Sequence, residues 1–303
     1  MLSKVLELEL IMILLILTGA FLRRKGTLTD AGRNCITDIL MQVVLPCNIF
    51  LSFQLEVTAD VFSKFGTTML ISLLIMIGVA VVGKLCYRNQ PESRAKVFRY
   101  GLINSNALFI GLPVVQSLLG DEGVIQQNMY MIFVRMFCWS YGLSLYTGTK
   151  ADWKSSAKGL ITHPCMVATL LGVCFMAADL SLPSFAQRTL NYCSSCLMAL
   201  SMFLIGAVLA NLDGKKLFRK DIWGFSLLRL VIVPGLVALG CKMFAVDFLV
   251  TATCVLMAGM PAASLTAVLA ARYHGDEELG ALIVTLSTVL SVISIPLWFL
   301  ILQ

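Results

Sequence analysis

The sequence predicts an all-α integral membrane protein with ten transmembrane helices in two inverted five-helix repeats, the fourth and ninth helices broken. Three observations lead there. First, of 303 residues 58% are hydrophobic and 13% charged, with a mean hydropathy of +0.88. A soluble domain carries about 25% charged and about 45–50% apolar residues. A water-soluble globule is excluded, and so is a disordered chain, which needs low hydrophobicity and high net charge. Second, the apolar runs have the length of about 20 residues that a helix needs to cross a hydrocarbon core of about 30 Å. A membrane barrel would show alternation over about ten residues instead. Third, the runs repeat at one offset along the chain.

The runs fall at about 5–22, 36–53, 66–87, 97–119, 124–147, 159–178, 190–210, 222–244, 248–271 and 279–302. Span one carries Glu7 and Glu9 where a signal peptide wants positive charge, and it shows no small-residue cleavage site, so it is expected to be the first spanning helix. Span two holds Pro46 and Asn48. Span four reads Asn104-Ser-Asn-Ala-Leu-Phe-Ile-Gly-Leu-Pro113, and span five carries Arg135 near its centre. Span six opens the second half, span seven contains Cys193-Ser-Ser-Cys196, and span eight contains Arg229. Span nine reads Met257-Ala-Gly-Met-Pro261-Ala-Ala-Ser264, and span ten closes the chain.

Orientation follows from lysine and arginine, which accumulate in cytoplasmic loops. Odd-numbered connections hold seventeen of the 23, among them Arg23, Arg24, Lys25, Lys84, Arg88, Lys150, Lys154, Lys215 and Lys216. The other side holds Lys4, Lys64, Arg188 and Lys242, and Arg135 and Arg229 lie within spans. Both termini are therefore expected outside the cytoplasm, in a multi-pass protein of the inner or plasma membrane. The net charge of +6 is topological, with no solvated basic face to suit nucleic acid.

Starts of spans one to five pair with those of six to ten at offsets close to 154 residues. Five crossings per half invert the second half, the plan of many secondary transporters. The expected domains are residues 1–147, a short cytoplasmic linker at 148–158, and 159–303. Within this plan Pro113 and Pro261 correspond, each with a glycine two residues upstream, Gly111 and Gly259. Proline removes an N–H donor and clashes one turn back, and glycine lets the chain leave helical geometry, so both helices should break near mid-membrane. Unwound backbone is tolerated there only in a protein-lined or wet cavity, and half-helix N-termini favour a carboxylate.

These residues resemble the auxin efflux carrier family, which includes bacterial malate permeases and plant PIN-formed proteins. Asn106-Ala-Leu-Phe-Ile-Gly-Leu-Pro113 resembles its fourth-helix motif. Ala258-Gly-Met-Pro-Ala-Ala263, Ala270-Ala-Arg-Tyr-His-Gly-Asp-Glu-Glu-Leu279 and Ser287-Thr-Val-Leu-Ser291 with Pro296 look like its ninth and tenth helices. Pro46-Cys-Asn-Ile-Phe50 and Leu204-Ile-Gly-Ala-Val-Leu-Ala210 agree. The resemblance implies a ten-helix carrier, similar in plan to bile-acid symporters and sodium–proton antiporters, with helices four and nine crossing at Pro113 and Pro261. It further implies an organic-anion site at that crossing, with Asn106 as the binding asparagine. The link from Gly148 to Lys158 is far shorter than the plant carriers' loop, which favours a small carboxylate over auxin.

An ionisable residue inside a span costs about 2.5–3.5 kcal/mol, so each asks for a reason. Arg135 is the leading cationic partner for a substrate carboxylate, because a guanidinium matches its two oxygens. Arg229, about seven residues in, is expected to snorkel to the headgroups. Asn48, Asn104 and Asn106 suit an organic anion or hold helices together. No acidic residue lies at the centre of a span, and His163 and His274 read as surface residues. The coupling ion therefore stays open between proton, sodium and none, and a homodimer stays open too. Cys193 and Cys196 have redox or metal spacing but no second pair, which reads as coincidence, and no cofactor or metal is expected. No nucleophile–base or metal motif supports an enzyme. The expectation is a secondary transporter of a mono- or dicarboxylate such as malate, rocking one group of helices against another. The alternative is an anion-binding sensor or channel without coupled transport.

Overall fold

A computed structural model describes residues 2–54, 59–147, 164–178, 180–210, 217–263 and 265–302, so the linker expected at 148–158 and His163 lie outside the described residues. The described chain is helical throughout, apart from turns and one isolated antiparallel bridge between Ser105 and Ala262. Six of the described helical runs are long and apolar enough to cross a bilayer. Two shorter apolar helices, Pro164–Ala177 and Phe248–Ala258, accompany them.

Prolines shape these helices by widening them. Five-residue π-helical turns at Leu40–Val44, Ala107–Gly111 and Leu228–Ile232 each end two residues before a proline, namely Pro46, Pro113 and Pro234. A proline ring displaces the carbonyl four residues back and offers it no N–H, so the preceding turn opens by one residue. At Pro234 the carbonyl left over is that of Leu230, and it accepts the indole N–H of Trp298 at 2.8 Å. The polar group that the proline strands is thereby satisfied inside an apolar bundle, where an orphan would cost most.

The chain divides into two compact units. Unit one comprises Met1–Phe62, Leu108–Asn128 and Ile161–Leu212. Its helices are α1 (Leu2–Arg24), α2 (Asp30–Ile39), α3 (Leu45–Ser52), the first part of α6 (Leu112–Phe137), α8 (Pro164–Ala177) and α9 (Ser184–Leu209). Inside α6 Gly120 takes φ 67, ψ −162, which turns the chain between the expected spans four and five. A side chain would be strained at that φ. α1 and α9 lie backbone to backbone. A Cβ added to Gly206 would fall on the Ile16 carbonyl, and one added to Gly19 on the Phe203 carbonyl. Small residues that let helix backbones approach are the usual basis of such packing in lipid.

Unit two comprises Ser63–Ala107, Met129–Leu160 and Asp213–Gln303. It holds most of α4 (Ala59–Cys86), α5 (Glu92–Ile103), the end of α6, α7 (Leu143–Thr147), α10 (Lys220–Leu227), α11 (Val233–Met243), α12 (Phe248–Ala258), α13 (Leu265–Arg272) and α14 (Glu277–Leu302). Asp247 caps α12 by accepting from the Leu249 N–H at 2.9 Å, and it pairs with Lys64 at 3.3 Å. At the start of α5, Arg94 pairs with Asp221 and with Asp276 (3.5 Å), and Arg219 pairs with the same Asp221 at 2.9 Å. These ion pairs join the starts of α5, α10 and α14.

Large apolar side chains face outward along single helix faces: Leu10, Leu14, Leu17 and Phe21 on α1, and Leu70, Leu74, Ile77, Val81 and Leu85 on α4. Water would penalise such stripes and lipid favours them. The protein is a multi-pass membrane protein.

Candidate functional site

The interruption of span four falls earlier than its proline. α5 ends at Ile103, and Asn104 adopts the extended conformation φ −94, ψ 100. The chain stays extended through Asn106 and returns to helical geometry at Ala107. Pro113 was expected to mark the break. It lies instead inside a helix, its steric demand absorbed by the π turn Ala107–Gly111. Asparagine explains the true position, because its side chain competes for backbone hydrogen bonds and lowers helix stability. In span nine the break does contain the proline: α12 ends at Ala258, and Gly259 to Ala263 leave the helix.

The two extended segments pair antiparallel. The Asn106 N–H donates to the Pro261 carbonyl at 2.8 Å, and the Ala263 N–H donates to the Asn104 carbonyl at 3.0 Å. Ser105 and Ala262 face each other between those bonds. A further amide, Ala262 N–H, donates to Ser287 Oγ on α14 at 3.2 Å, and the Ser287 hydroxyl donates to the Ile283 carbonyl at 2.6 Å. Asn104, Ser105, Asn106, Met260, Pro261 and Ala262 are all buried. The unwound backbone therefore meets the requirement that polar groups at membrane depth find partners inside the protein.

α5 and α12 both end at this crossing, bringing the negative poles of two helices together. Arg229 answers them. Its Nε donates to the Met260 carbonyl at 2.8 Å and its Nη1 to the Leu102 carbonyl. The side chain is 2% exposed. This corrects the expectation that Arg229 snorkels: it lies with Leu230 on the buried face of the π turn Leu228–Ile232, whose Val231 and Ile232 are exposed, and two carbonyl acceptors offset the loss of water. Depth along span eight gave no hint of which way the side chain turns.

Asn104 also anchors side chains. Its Nδ2 donates to the Tyr100 hydroxyl at 3.3 Å, and its Oδ1 accepts from the Cys138 thiol at 3.5 Å. Arg135 lies one turn before Cys138, at the end of α6, and is buried. Asn104, Asn106, Arg135, Gly259 and Pro261 all belong to unit two.

Asn48, Gly111 and Pro113 belong to unit one. There Asn48 Nδ2 donates to Gln116 Oε1 at 2.9 Å and to Ser194 Oγ at 2.7 Å. Beside them lies a cavity of about 330 Å³ lined by Pro113, Gln116, Ser117, Asn191, Ser194 and Ser195. Its polar side chains are uncharged. Gln116, Ser117 and Ser194 were not singled out from sequence, and a polar residue one turn beyond the span-four proline was the signal available. Among the described residues no three metal-ligating side chains come together.

Comparison with known proteins finds membrane transporters. The membrane transport protein family matches the chain over residues 4–299. An uncharacterized transporter of Methanothermobacter thermautotrophicus is 29% identical, with 98% of each chain covered. An uncharacterized transporter of Methanocaldococcus jannaschii is 25% identical over 97% of each. The uncharacterized transporter YfdV of Escherichia coli is 21% identical over 94% of each.

Proposed function

The chain belongs to the membrane transport protein family, the auxin efflux carrier-like group that its motifs resemble, and from that premise we propose that it is a secondary carrier of a small organic anion. The observation that carries this reading is the antiparallel pairing of residues 104–106 with 261–263, one repeat length apart. In carriers built from inverted repeats, substrate sites lie where broken helices meet near the bilayer midplane. The ten apolar runs then form ten crossings in two oppositely oriented halves, with both termini outside.

In this reading Asn106 stands at the start of the resumed span-four helix. Its amide NH2 donates to a carboxylate, and the amides of the following turn add the positive pole of that segment. Arg135 supplies the fixed cation that selects for negative charge. Asn104 holds the break in shape through Tyr100 and Cys138. In unit one, taken by itself, Pro113 lines the uncharged polar cavity, and Asn48 holds two of its lining residues, Gln116 and Ser194. A mono- or dicarboxylate of malate size fits this chemistry.

Uptake of labelled mono- and dicarboxylates into proteoliposomes tests the proposal. Saturable flux of one member of the panel supports it. Saturable binding without flux would replace the carrier by an anion sensor, and neither binding nor flux across the panel would overturn the anion reading.

A further inference from the structure

The sequence left open whether the unwound carbonyls of the crossing hold a coupling cation. Broken-helix carriers that couple to sodium give the ion backbone carbonyls and half-helix C-terminal ends. Here α5 and α12 end at the crossing, and the oxygens of Leu102 and Met260 both accept from one guanidinium. Sodium sites also favour carboxylate oxygens. Among the described residues no aspartate or glutamate is buried, and the buried charged side chains are Arg135 and Arg229.

We infer that Arg229 is a built-in cation: it permanently fills the place where a sodium-coupled carrier binds its ion, so the crossing is held together without sodium and works without it. A guanidinium carries one positive charge, as sodium does. Its planar fork also directs separate N–H groups at separate acceptors, so one side chain bridges two helix ends. A fixed charge cannot dissociate with each cycle, so a carrier built this way draws no energy from a sodium gradient at this place. Arg229 is a positioning residue, acting on substrate only through the backbone it fixes.

The inference rests on the carrier reading for its meaning in transport, but its test uses no substrate, so the two fail separately. Thermal melting of the purified full chain is measured in sodium chloride and in choline chloride. The wild type is expected to melt identically in both. Arg229→Ala is expected to melt lower, and guanidinium ion at millimolar concentration, far below denaturing levels, is expected to restore part of the loss saturably, while urea does not. Arg229→Lys, which keeps the charge but not the fork, is expected to fall between the two. A saturable rise of the wild-type melting temperature with sodium would overturn the inference. So would a folded Arg229→Ala protein that melts like wild type or ignores guanidinium ion. If Arg229→Ala yields no folded protein, the wild-type sodium comparison and Arg229→Lys decide alone, and Arg229→Lys melting as wild type would contradict the bridging role.

Discussion

The Asn106 N–H donates to the Pro261 carbonyl at 2.8 Å, tying a residue of span four to the proline of span nine through backbone alone. Because the side chain takes no part in that bond, Asn106 can be altered without untying the crossing.

Asn106→Ala is therefore expected to melt within a degree or two of wild type, at about the level of a change that removes no buried partner. The anion-induced rise in melting temperature should disappear with it. Arg135→Ala should lose the same rise. Titrating the purified variants with the carboxylate that wild type transports checks both, and unchanged anion affinity would remove the residue concerned from the site.

Ser287→Ala separates support from binding. It leaves the buried Ala262 N–H without its acceptor, at a cost of about 1–3 kcal/mol. The variant should lose stability in a denaturant titration, whereas Ser287→Thr, which keeps the hydroxyl, should recover most of it.

The two prolines are expected to differ. Pro113 lies within a helix behind a π turn, so Pro113→Ala changes one turn and should leave substantial flux. Pro261 lies in the extended break itself, so Pro261→Ala should lower flux more severely. Uptake by the two variants in parallel checks this, and equal impairment would argue against the placement of the span-four break.

In unit one the contact of α1 with α9 depends on absent side chains. Gly206→Leu forces a branched side chain onto the Ile16 carbonyl and should destabilise by about 1–3 kcal/mol or more, read as a lower melting temperature. Gly224→Leu, where added atoms meet open space, should be close to neutral.

The helical class was legible in apolar run length and the span-nine break in Gly259 and Pro261, whereas the span-four break, expected at Gly111 and Pro113, falls at Asn104 to Asn106. What was not legible has a common physical cause. Whether Pro113 breaks a helix or widens it depends on how the preceding turn relaxes, and whether Arg229 turns to lipid headgroups or inward depends on acceptors supplied by other helices. Leu102 and Met260 are apolar residues whose carbonyls do the polar work, so side-chain identity conceals them. Ser287, one of several hydroxyls in span ten, differs from its neighbours only in facing an amide freed by the break.

The pairing of the two breaks can be tested most directly by a covalent link across it. Ser105 and Ala262 oppose each other between the flanking hydrogen bonds, the kind of antiparallel position at which Cα atoms approach to about 4.5 Å. A disulfide accepts such a separation. In a chain whose ten native cysteines are replaced, Ser105→Cys with Ala262→Cys should form an intramolecular disulfide under mild oxidation in native membranes, while a control pair, Ser105→Cys with Val255→Cys, should not. Failure of the first pair to link in folded protein, or equal linking of the control, would contradict the crossing on which the account depends.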